Sequence, residues 1–233
     1  MTQTLSSSLD SLLKLTSDNC AQRGELIVSS AESAANLELL WLQHLTGAKL
    51  TGTADCLLDG THSAIREGAA CVSLGLVRPA LASLRLQMDL ALGWLYFKDH
   101  PVEWERVQAT GDGFKLKTEL LKYLGEVNDR FAPRMALLKQ CKTRTQDDPY
   151  RLLSAHIHAQ SASAVPKVEQ PADIVASPAL QDEFIRLQFE CSEFINDIFW
   201  SVYAPRWASL PNQLLDTLTS RFVTPKQKAE FFQ

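Results

Sequence analysis

The chain has 233 residues, 45% of them hydrophobic and 21% charged, with 23 Lys and Arg against 27 Asp and Glu and a formal net charge of −4. That apolar share is enough for a packed core and excludes a wholly disordered chain. The mild acidity argues against a protein that coats nucleic acid nonspecifically, because phosphate binding of that kind draws on clustered cations.

Leu5, Leu9, Leu12 and Leu13, and then Leu37, Leu40, Trp41 and His44 or Leu45, recur at helical spacing and predict two opening helices. Residues 19–30 between them contain Gly24 and read either way, although Leu26 and Val28 can continue a helix. The opening run MTQTLSSSLDSLLKL lacks a basic start, an unbroken apolar stretch and a small-residue cleavage site, so no signal peptide is expected. Over 52–75 small residues dominate, with Ile65, Ala69 and Val72 on one stripe and Gly75 as a stop, which suits a helix packed closely on its neighbours. Pro79 fits the first turn of the next helix, whose apolar face is Leu81, Leu84, Met88, Leu92 and Leu95 or Tyr96. Leu86, Leu90, Ala91 and Trp94 add apolar surface on its other sides and predict a central helix covered all round. This segment, 81–97, is interrupted by Arg85, Gln87 and Asp89 and is too polar to cross a bilayer, which takes about 20 mostly apolar residues, so no membrane is expected as a partner.

Pro101 ends that helix by disfavouring helical geometry at His100. Short helices are predicted over 102–108, 114–124 and 134–142, and Asp147, Asp148 and Pro149 form the start of another over 150–160. Residues 161–178 are rich in Ala, Ser and Val and carry Pro166, Pro171 and Pro178, the composition of an exposed linker or mobile loop. Helical spacing returns over 180–203 through Phe184, Leu187, Cys191, Phe194, Ile195 and Ile198, and short helices over 210–222 and 226–232 close the chain. No alternating strand pattern and no internal repeat breaks this order. The fold class is therefore all-α, a bundle of seven to nine helices in a single domain over residues 1–233. Cys20, Cys56, Cys71, Cys141 and Cys191 are odd in number and scattered, without Cys-x-x-Cys or zinc-type spacing, and read as reduced, mostly buried thiols of a cytoplasmic protein with no metal and no cofactor.

Several signatures are missing: Gly-x-Gly-x-x-Gly, a phosphate loop, a Gly-x-Ser-x-Gly elbow and His-Glu-x-x-His. Two clusters remain. In YFKDHPVEW, His100 beside Asp99 and Glu103 has the neighbours of a tuned acid or base; equally, His100 and Asp99 can cap the central helix while Tyr96 and Trp104 pack over it. In DPYRLLSAHIHAQS, a continuous helix places Arg151 and His158 within about 20° of each other, with Ser154 on the same stripe and Leu153 and Ile157 turned to a core. An Arg can hold a phosphodiester through two hydrogen bonds and a His can move a proton near neutral pH, so this row suits phosphate chemistry. The same residues on the solvent face of a surface helix look alike.

Arg151 followed by His156 or His158 fits the Arg, four to six residues, then His pattern, and the run SLRLQMDLALGWLYFKDHPVEWERV followed later by YRLLSAHIHAQS carries similar phrasing. On these residues, over about 65–161, the chain resembles the HEPN superfamily of compact helical domains. The resemblance implies a metal-independent endoribonuclease of a bacterial defence or toxin system, with its cleft between the two protomers of a homodimer and RNA as its substrate. Arg151 would hold the scissile phosphate, and His158, or else His156, would carry the proton, with Ser154 in support. His158 is favoured over His156 because five helical residues turn His156 by about 140° from Arg151. Leu152 stands where active members often carry a polar residue. The resemblance therefore also implies the alternative of a catalytically inactive helical module that dimerises or docks on a protein partner, as in a toxin–antitoxin or other defence complex.

Overall fold

The computed structural model describes residues 5–162 and 164–233. Among them there is no strand, and eleven α-helices follow in order: α1 (Leu5–Ala34), α2 (Asn36–Ala48), α3 (Cys56–Ser73), α4 (Val77–Phe97), α5 (Pro101–Thr110), α6 (Lys117–Val127), α7 (Phe131–Gln140), α8 (Pro149–Ile157), α9 (Pro178–Tyr203), α10 (Asn212–Thr219) and α11 (Pro225–Phe232). The all-helical reading holds, and the count exceeds the expected seven to nine. Each of the eleven overlaps a segment read as helical from the sequence, so the total of seven to nine undercounted those segments. None of the helices is long and apolar enough to cross a membrane.

The ambiguous 19–30 stretch is helical, and α1 runs unbroken for 30 residues. Its core-facing positions are Gly24, Ile27 and Ala31, whereas Leu5, Leu9 and Leu13, the residues that announced the helix, are 74%, 46% and 67% exposed. α3 ends as Gly75 requires. With φ at +81°, Gly75 donates its N–H to Val72 O, and Leu76 reaches back to Cys71 O, each at 2.9 Å, the paired bonds of a Schellman cap.

The chain divides into two compact units. The first comprises Met1–Ala35, described from residue 5, with Ser63–Leu86 and Asp148–Cys191. Ile65, Ala69 and Val72 of α3 are buried there as their stripe predicted, beside Leu84 of α4, Leu153 of α8 and Phe184 and Leu187 of α9. Gly68 makes this packing close: a β-carbon on it would stand 3.1 Å from the Phe184 ring. Leu86 is 45% exposed, so the covering predicted for α4 fails at this position and is complete only further on, over residues 91–97.

Residues 165–170 are exposed, as a linker would be, but the segment around them is anchored within the first unit. Ala164 O accepts a bond from Arg78, the Pro171–Ile174 turn packs on α1 with Ala172 buried, and Ala176 N–H donates to Gly75 O at 2.8 Å.

The second unit comprises Asn36–His62, Gln87–Asp147 and Ser192–Gln233. Trp41, Trp94, Trp200, Phe97, Phe199 and Phe231 are fully buried in it. Two indoles find partners, Trp41 on Asn196 Oδ1 at 2.9 Å and Trp94 on Asp55 Oδ1 at 3.1 Å. Beside them lies a buried ionic group. Glu193 and Asp197 of α9 take Arg144 and Arg221, and the Thr143 and Arg144 amides also donate to Glu193, so the loop after α7 and the end of α10 are tied to α9.

All five cysteines are free, but only Cys191 is buried. Cys20 and Cys56 are exposed and Cys71 and Cys141 half-buried.

Candidate functional site

α8 begins where its sequence prescribes. Asp148 is the N-cap and accepts the Arg151 amide at 3.2 Å, and Pro149 fills the first helical position. This cap fixes the backbone of Arg151, whose side chain is exposed. One turn on, Ser154 is half-buried and its hydroxyl donates to Tyr150 O at 2.9 Å. Leu153 is fully buried and holds the helix down, while Ile157, expected beside it, is 40% exposed as α8 runs out toward solvent.

The helix stops at Ile157, three residues before the predicted end. His158 is its C-cap, at φ −91° and ψ 9°, and its N–H still closes a bond to Ser154 O at 3.0 Å. Ala159 then turns left-handed at φ +48°, with Ala159 N–H directed to His156 O and Gln160 N–H to Ala155 O, a Schellman cap built on a residue other than glycine. A β-carbon in that conformation costs on the order of 1 kcal/mol, stored beside the histidine. His158 is exposed and His156 half-buried. The two differ in their surroundings: the charge of His156 helps hold the Glu183 carboxyl of α9 below its ordinary range, an effect led by the bond from Arg186.

The structure adds a residue the sequence reading passed over. Arg85 of α4, noted only as an interruption of an apolar run, lies with its guanidinium carbon 3.4 Å from the centre of the Tyr150 ring and donates Nε to Ser154 Oγ at 3.3 Å. Burial lowers its ordinary value, opposed by Tyr150 and Asp148, and a guanidinium remains charged under such a shift. The signal available was the residue type itself, since an arginine in a helix expected to be covered all round needs a partner. The N-terminal part of α8 thus brings together Arg85, Tyr150, Arg151 and Ser154, with two histidines at its C-terminal end.

In the second unit, His100 does what the plainer reading predicted. Its Nδ1 meets Tyr96 O at 2.7 Å and its ring stacks on Tyr96 at 4.0 Å, so it closes the end of α4. Tyr96 in turn donates to Glu103, whose carboxyl is held low first by Lys115 at 2.9 Å. Among the described residues no group of three or more His, Cys, Asp or Glu is arranged to hold a metal ion. Comparison of the chain with protein-family models, with curated proteins and with solved structures returns no match.

Proposed function

We propose that the chain is an HEPN-like, metal-independent endoribonuclease, cytoplasmic and dimeric, acting in a bacterial defence or toxin system. The observation that carries this reading is that Arg151 and His158 are both open to solvent on one short helix and its cap, one at the amide fixed by Asp148 and the other at the last helical bond. In this reading Arg151 holds the scissile phosphodiester through paired hydrogen bonds. His158 takes the proton from the ribose 2′-hydroxyl as that oxygen attacks phosphorus, the bond to the 5′-oxygen breaks, and a protonated histidine returns a proton to the leaving oxygen. A cyclic phosphate and a free 5′-hydroxyl result. The partner protomer's copy of His158, or His156 within the chain, supplies the second proton relay. Arg85 and Ser154 position Tyr150 and the α8 backbone beneath the phosphate.

The test is RNA cleavage, or growth arrest on expression, by Arg151→Ala and His158→Ala. Both residues are exposed, so both variants are expected to lose activity by about a hundredfold or more while melting within a degree or two of the parent. Parent-like cleavage by both ends the proposal.

A second reading, a catalytically inactive HEPN-like module that dimerises or docks on an effector protein, is favoured by Leu152 after Arg151. A stoichiometric protein partner recovered with the chain, together with inertness of the purified protein toward RNA, selects it.

A further inference from the structure

The second unit holds a cavity of about 390 Å³ that the reading above does not use. Lys49, Lys98 and Arg206 line it, with Asp99 and Asp129 as the acidic counterparts. The charges do not cancel evenly. Asp99 is engaged by Lys98 and accepts the Tyr123 hydroxyl at 3.3 Å, and Asp129 lies within electrostatic reach of the buried Arg134 guanidinium. Lys49 and Arg206 form no ion pair among the described residues. Two uncompensated cations therefore face a single concave space.

The third element is Tyr203. It is 7% exposed, lines the same cavity, and is held by its ring against Trp41 at 5.5 Å. Its hydroxyl makes no hydrogen bond to another described residue and is open to the cavity, so it is free to donate to a ligand there. Burial first, and the charge of Asp99 second, push its ionisation well above the ordinary range, so it faces the cavity as a proton donor. A hydroxyl donor and two cations free of ion pairs thus line one cavity, a donor set suited to an anion. Val202 and Pro205 supply apolar wall on the same cavity, and its volume falls within the range of small-ligand sites, larger than a bare inorganic anion needs.

We propose that this cavity binds a small organic phosphate, its phosphate held by Lys49, Arg206 and the Tyr203 hydroxyl and its carbon skeleton laid against Val202 and Pro205. The site shares no residue with α8, so it stands or falls independently of the nuclease reading.

The experiment is calorimetric titration of the full chain with adenosine 5′-monophosphate, glycerol 3-phosphate, inorganic phosphate and adenosine. The variants are Lys49→Ala, Arg206→Ala and Tyr203→Phe, the last keeping the ring on Trp41, and circular dichroism checks that each remains folded. At least one phosphomonoester is expected to bind saturably and more tightly than inorganic phosphate, with adenosine silent. Each lysine or arginine variant should weaken it about tenfold, the effect of one charge-assisted hydrogen bond, and Tyr203→Phe by a few-fold. Binding of the nucleotide alone identifies the skeleton as nucleoside-like, and binding of both esters identifies the phosphate as the recognised group. Absence of binding by both esters, inorganic phosphate binding as tightly as either, or equal affinity in all three folded variants overturns the proposal.

Discussion

Glu38 is fully buried in the first turn of α2, and burial raises its carboxyl from the ordinary 4.5 to about 8, against the opposing bond from Gln87. One carboxylate oxygen takes that amide, and the other has no hydrogen-bond partner among the described residues. The direction of the resulting pH dependence is the reverse of the usual carboxylate case. Below about pH 4.5 the side chain is protonated in both the folded and unfolded states and contributes no pH dependence. Between about 4.5 and about 8 the unfolded chain has released its proton and the folded chain has kept it, so stability falls as pH rises; above about 8 the loss is complete.

At about 1.4 kcal/mol per pH decade, the span from 4.5 to about 8 corresponds to roughly 5 kcal/mol, a ceiling because local relaxation and water entry reduce such shifts. Glu38→Gln keeps the shape and removes the ionisation. Urea denaturation of parent and variant, followed by circular dichroism at a series of values from about pH 4.5 to about pH 9, isolates this residue, because every other titrating group is common to both proteins. The variant should gain on the parent by several kcal/mol across that range, with most of the gain above about pH 6. Stability curves that run parallel over the whole range show that Glu38 reaches solvent or a counter-charge in the folded protein, and they refute the reasoning.

Asp197 accepts from both Arg144 and Arg221 while 1% exposed, so Asp197→Asn leaves two buried guanidinium groups short of a charge. It should lose on the order of 3 kcal/mol in denaturant titration, and a loss under about 1 kcal/mol contradicts that role. Gly75→Ala places a β-carbon at φ +81° and 2.7 Å from Val175 Cγ1, which should cost at least about 1–2 kcal/mol and lower the melting temperature. Ala159→Gly runs the other way, relieving the left-handed residue after α8 and adding about 1 kcal/mol by the same measurement.

How far the fold was legible follows from where burial and periodicity coincide. α3 was readable in full, because its buried stripe, its small residues and its terminal glycine all point to the same helix. α1 was readable as a helix but not as a contact surface. Leu5, Leu9 and Leu13 carry the period of a core face yet are exposed, since periodicity reports which residues share a side and not what lies opposite. The buried ionic group was not legible at all. Arg144 and Arg221 come from segments far from Glu193 and Asp197 in sequence, and nothing local distinguishes them from surface charges.

The candidate site divides along the same line. The start of α8 was written in Asp148 and Pro149, residues whose side chains act within their own turn, and the structure uses both as read. Its end was not, because the cap that closes it is built on Ala159, where the usual mark of a left-handed C-terminus is a glycine. Without that mark the period of the helix carries on through Gln160, whereas the last helical bond closes at His158. That bond, from the His158 amide to Ser154 O, is the helix's own, while Arg85 from another helix holds the Ser154 hydroxyl. An arginine that appeared in the sequence only as a flaw in an apolar run thus stands, in the folded chain, against the helix that carries Arg151.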